Sequence, residues 1–132
     1  MRRIFLGLAV LAALFLPATP AAAATCSGVV GTPVIVGGTI SSSGSVGCTA
    51  QVAKITVKFT IAKKPPGATT WNVIATANNS CTNRNGCAAP ASGLLSAPFS
   101  CLNSYRLKTT GTATGSTVSP ATQVIKANPA LC

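Results

Sequence analysis

Lys54-Ile55-Thr56-Val57-Lys58-Phe59-Thr60-Ile61 decides how this chain folds. Ile55, Val57, Phe59 and Ile61 take every second position, and Lys54, Thr56, Lys58 and Thr60 take the positions between. Successive side chains of a β-strand point to opposite faces, so this period of two marks a strand with one buried and one wet face. Lys63-Lys64-Pro65-Pro66-Gly67 follows and forces a turn, since proline cannot donate to a ladder and glycine admits the turn conformation.

The same alternation returns on both sides of this stretch. A strand is expected over 69–77, with Trp71, Val73, Ala75 and Ala77 on one face and Trp71 in the core. Another is expected over 104–114, with Tyr105, Leu107 and Thr109 inward and Arg106 and Lys108 outward. Tyr105 is read as a core residue whose hydroxyl finds a backbone partner. Weaker strands are expected over 32–40, 44–49, 93–97 and 118–127, separated by Gly, Pro, Ser and Asn. No helix longer than a turn is expected after residue 24. Strand spacing of about ten residues predicts an all-β fold, a single antiparallel β-sandwich of about seven strands.

The N-terminus has a different character. Met1-Arg2-Arg3 is basic, residues 4–16 are apolar apart from Gly7, and Ala22-Ala23-Ala24 offers small residues to a signal peptidase. The apolar run is shorter than the roughly 20 residues that span a bilayer. Residues 1–24 are therefore read as a cleaved signal peptide, and 25–132 as one secreted domain of 108 residues. No later segment is apolar enough to span a membrane. The expected location is extracellular, with possible attachment to the cell wall left open. Asn78-Asn79-Ser80 is formally an N-glycosylation acceptor, but the leader has a bacterial style.

All six cysteines lie after the leader, an even number in a short secreted chain, which reads as three disulfides. Six cysteines allow 15 connectivities. Cys81 and Cys87 flank Thr82-Asn83-Arg84-Asn85-Gly86, and Asn85-Gly86 is a tight-turn signal, so a local bridge is expected there. Cys26 with Cys132 would tie down the ends, which leaves Cys48 with Cys101.

Charge excludes more than it assigns. The chain has ten Lys and Arg and no Asp, Glu or His, and eight of the basic residues follow residue 24. Carboxylate pairs, Ser-His-Asp triads, Cys-His pairs and carboxylate or histidine metal sites cannot be assembled from this inventory. A Ser-Lys dyad is the remaining hydrolytic option, and nothing local marks one. The chain is read as non-enzymatic, with no cofactor and no metal. An excess of positive charge attracts acidic partners. Nucleic acid is not the expected one, because the aromatics are not interleaved with the cations as a stacking platform requires.

The run Val57-Lys58-Phe59-Thr60-Ile61, Gly67, Thr70-Trp71-Asn72-Val73-Ile74-Ala75, Cys101 and Tyr105-Arg106-Leu107-Lys108-Thr109 resembles immunoglobulin-like or fibronectin-III-like β-sandwich domains of secreted bacterial proteins. The resemblance spans roughly residues 45 to 127. It implies the sandwich, with Tyr105 as a tyrosine corner, and hosts too many roles to imply a function.

Two surfaces are candidates. If the strands over 54–62 and 104–114 are neighbours, Lys54, Lys58, Arg106 and Lys108 share one exposed face and form an anion-binding patch for a cell-wall polymer or an acidic lipid surface. The bland alternative is that these charges only keep the protein soluble. The second surface is the loop between Cys81 and Cys87, where Arg84 and Asn85 have the shape of bait for a trypsin-like protease. A secreted antimicrobial or competition effector is a further reading. Oligomeric state is left open.

Overall fold

The computed structural model describes residues 24–132, so the expected signal peptide lies outside the described residues except for Ala24. Nine strands run in chain order: β1 Cys26–Val30, β2 Val34–Val36, β3 Thr39–Ser42, β4 Gly44–Lys64, β5 Asn72–Ala89, β6 Leu95–Pro98, β7 Ser104–Ala113, β8 Val118–Ser119 and β9 Ala121–Ile125. One 3-10 turn, Pro129–Leu131, closes the chain. The fold is all-β, and no helix among the described residues is long and apolar enough to cross a membrane.

The backbone of the architecture is a long bent hairpin. β4 has 21 residues and β5 has 18, and they pair antiparallel almost throughout. Gly47 faces Gly86 and Val52 faces Arg84, so residues 48–51 of β4 stand against Asn85 alone. Extra residues on one strand of a pair bend it and increase its twist. Gly44 shows how the two arms of β4 then meet. A Cβ there would lie 2.7 Å from Cδ2 of Phe59, a residue of the same strand. Only glycine leaves room for that approach.

On the edge of β4 away from β5, β1 pairs with residues 44–48 and β7 with residues 55–64. β9 extends β7 antiparallel, and β8 joins β1 in parallel, so the six-stranded sheet is mixed rather than purely antiparallel. β8 and β9 are separated only by Pro120, so the path from β1 through β4 and β7 returns to β1. A second sheet of β2, β3 and β6 contributes Ile40 and Ala97 to the core. Gly37 and Gly38, both with positive φ, make the two-residue turn between β2 and β3.

The core follows the alternation. Ile55, Val57, Phe59, Ile61, Tyr105, Leu107 and Thr109 are all buried. The two buried hydroxyls are matched: that of Thr109 donates to the Val29 carbonyl at 2.9 Å, and that of Ser42 to the Gly31 carbonyl at 2.8 Å. The Tyr105 hydroxyl accepts from the Ser100 backbone N–H at 2.7 Å, and its ring stacks on Phe99 at 5.0 Å between centroids.

Three expectations are corrected. Cys26 pairs with Cys48 and Cys101 with Cys132, rather than Cys26 with Cys132 and Cys48 with Cys101. The physical reason is register: the β1–β4 ladder puts Cys26 directly opposite Cys48, with Cα atoms 4.1 Å apart. Cys81 does pair with Cys87, but residues 82–86 are not a hairpin turn. The chain continues through them as β5, and the bridge spans the bend of the β4–β5 hairpin. Trp71 is not a core residue. It is partly exposed, just before β5 begins.

Candidate functional site

The outer face of the β4–β7 ladder is built by the same period of two that fills the core. In register, Lys58 lies opposite Thr110, Thr60 opposite Lys108, Ala62 opposite Arg106 and Lys64 opposite Ser104. Lys58, Lys108, Arg106 and Lys64 therefore occupy alternate positions along two neighbouring strands, all on the side away from Phe59 and Leu107. At about 3.3 Å per residue, the run from Lys58 to Lys64 is roughly 20 Å long. Lys54 extends the same face beyond Thr56, and its carbonyl accepts the Thr114 backbone N–H at 3.0 Å. The structure thus places Lys54, Lys58, Arg106 and Lys108 on one face. Lys54 and Lys58 are exposed, and Arg106 and Lys108 are half-buried.

Polar, uncharged side chains fill the gaps. On β5, Thr76 lies opposite Thr60, Asn78 opposite Lys58, Ser80 opposite Thr56 and Thr82 opposite Lys54. On β7, Thr112 lies opposite Thr56, and the two hydroxyls are hydrogen-bonded to one another. A shallow groove crosses this region between Lys58, Asn78, Ser80, Thr110 and Thr112. With no Asp or Glu in the chain, no side-chain carboxylate offsets the cations. The face offers fixed positive charge among hydroxyl and amide groups.

One end of the face has a feature that sequence reasoning missed. The Trp71 ring has Lys64 Nζ at 4.9 Å and Arg106 Cζ at 5.2 Å from its centroid. Ala62, opposite Arg106, is only 1% exposed. Arg106 Nε is buried without a hydrogen-bond partner. The alternation of Trp71, Val73, Ala75 and Ala77 points Trp71 inward in the sequence, although Ile74 interrupts it on the other face. A register shift between Ile61 and Ala62 breaks that alternation: Ala75 lies opposite Ile61 but Val73 opposite Ala62. Ile74 is the residue skipped. Val73 turns to solvent at 51% exposure, and Ile74 packs against the core. Lys64 escaped notice because it was read as part of the turn.

Arg84 and Asn85 are exposed on the bend. The Asn83 carbonyl accepts from Gln51 Nε2 at 2.8 Å, and Arg84 pairs with Val52 in the ladder. This segment is held within a sheet rather than presented as a free extended loop.

No protein-family model matches the chain, and searches of curated proteins and of solved structures return no match.

Proposed function

We propose that this chain is exported and acts outside the cell as a non-enzymatic, cationic β-sandwich of immunoglobulin-like type, binding anionic envelope or extracellular material through the outer face of β4 and β7. The carrying observation is the register that sets Lys58, Lys108 and Arg106 at successive alternate positions on one face, in a chain without a single Asp or Glu. Cations in that arrangement repel one another, and an external polyanion relieves the repulsion. Arg106 can fork onto a carboxylate or phosphate, while the lysines act as point charges. Three disulfides suit an oxidising compartment. The extended layout, roughly 20 Å from Lys58 to Lys64, favours a polymer over a small ligand, which a concave pocket would enclose.

The test compares Lys58→Gln/Lys108→Gln with Arg84→Gln for retention on an immobilised polyanion such as polyphosphate. Each double or single variant removes charge, but only the first removes it from the face. Retention should fall sharply for the double variant and hold for Arg84→Gln. An equal loss of retention per charge removed would mean that only net charge matters, and the face would lose its assignment.

A further inference from the structure

We propose that the Trp71 end of this face is a saccharide subsite, so that the polyanion recognised is an acidic polysaccharide. One sugar ring would stack on Trp71 while its carboxylate or phosphate is held by Arg106 and Lys64. The inference rests on the cationic-face reading above and narrows it to a ligand class. Four observations carry it. Trp71 is the single tryptophan of the chain and is partly exposed at the end of a flat polar face, although it is the largest apolar side chain available for the core. Two cations sit within 4.9 and 5.2 Å of its centroid, so an anion bound by either is held beside the ring. The chain has no acid to neutralise them, and Arg106 Nε has no partner of its own. Beyond the exposed Val73 and Val124 beside this end, the outward positions Thr60, Thr76, Asn78 and Thr110 offer hydrogen-bonding side chains to the next units of a polyol chain.

Other polyanions fit less well. Polyphosphate and lipid headgroups would use the cations but leave Trp71 idle. Single-stranded nucleic acid uses stacking, but along a row of aromatics. Phe59 and Tyr105 are buried and Phe99 stacks on Tyr105, so among the described residues no second ring continues the row. With Lys64 and Arg106 over the ring, the part of Trp71 left open meets the polarised C–H groups of a sugar ring while the ammonium and guanidinium groups meet its acid.

The test uses the intrinsic fluorescence of Trp71 in the purified protein, titrated with polygalacturonate, with fully methyl-esterified polygalacturonate, with polyphosphate and with oligo-dT. Polygalacturonate should shift the emission, and the esterified polymer, which keeps the ring but loses the charge, should bind far more weakly. Trp71→Leu keeps an apolar side chain at this position and removes the stacking surface. By direct pull-down it should weaken polygalacturonate binding by about tenfold and polyphosphate binding by less than about twofold. Arg106→Lys, which keeps the charge but loses the fork, should weaken polygalacturonate binding as well. If both variants bind polygalacturonate as the wild type does, or polyphosphate binds as tightly with no emission change, the saccharide subsite is wrong and the cationic face still stands. If the wild type binds neither polyanion, the cationic-face reading itself fails. Tighter binding and stronger quenching by oligo-dT would overturn the proposal in favour of nucleic acid.

Discussion

The two faces of the β4–β7 ladder are made by the same twenty or so residues and have opposite physical characters. Inward, Ile55, Val57, Phe59, Ile61, Tyr105 and Leu107 are removed from water almost completely. Outward, Lys54, Lys58, Arg106 and Lys108 alternate with threonines, and the strand interior gives them nothing to pair with. The inner face supplies the free energy that holds these cations at fixed spacing. Burial of apolar surface contributes about 25 cal/mol per Å², whereas exposed like charges weaken the compact state slightly. The difference separates two kinds of residue: changing the inner face should cost stability, and changing the outer face should cost binding at little cost in stability.

Phe59→Ala should be the most damaging change. Phe59 is fully buried and lies where Gly44 closes the two arms of β4 together. A loss of about 3–5 kcal/mol in denaturant unfolding is expected. Removing the bridge at the end of the ladder, as Cys26→Ala/Cys48→Ala, should cost about 3 kcal/mol in the chain-entropy model, given a sequence separation of 22. Tyr105→Phe leaves the ring stack on Phe99 and strands the Ser100 N–H, and should cost about 1–2 kcal/mol. At the small end, Lys58→Gln/Lys108→Gln should change stability by no more than about 0.5 kcal/mol. If that double variant unfolds as readily as Tyr105→Phe, the two faces are not independent and the comparison breaks.

How much of this was legible in the sequence follows from where the ladders are regular. Residues 54–61 and 104–109 alternate without a register shift between β4 and β7, so their faces could be assigned from the period alone. Trp71 and Val73 could not, because the shift at Ile61 and Ala62 is a property of the pairing with β5, and its one mark in 69–77, the apolar run Val73-Ile74-Ala75, does not say which of the three turns to solvent. The turn signal at Asn85-Gly86 marked real backbone irregularity, but it belongs to a bend that β5 passes through rather than to a reversal. The pairing of Cys26 with Cys48 depends on the register of β1 against β4, a long-range contact that spacing does not encode. Lys64 joined the site only because β4 runs to its end before the prolines take effect. Export is an expectation from residues 1–24, which apart from Ala24 lie outside the described residues.

The central claim is that an ordered row of cations, and not overall charge, meets an external polyanion. The measurement that tests it most directly is the salt dependence of binding to polyphosphate, from low ionic strength to about 1 M, where the screening length is only about 3 Å. Wild-type affinity should fall steeply across that range, and Lys58→Gln/Lys108→Gln should give a weaker affinity with a shallower slope. Binding that is indifferent to 1 M salt, or an unchanged slope in the double variant, would contradict the account.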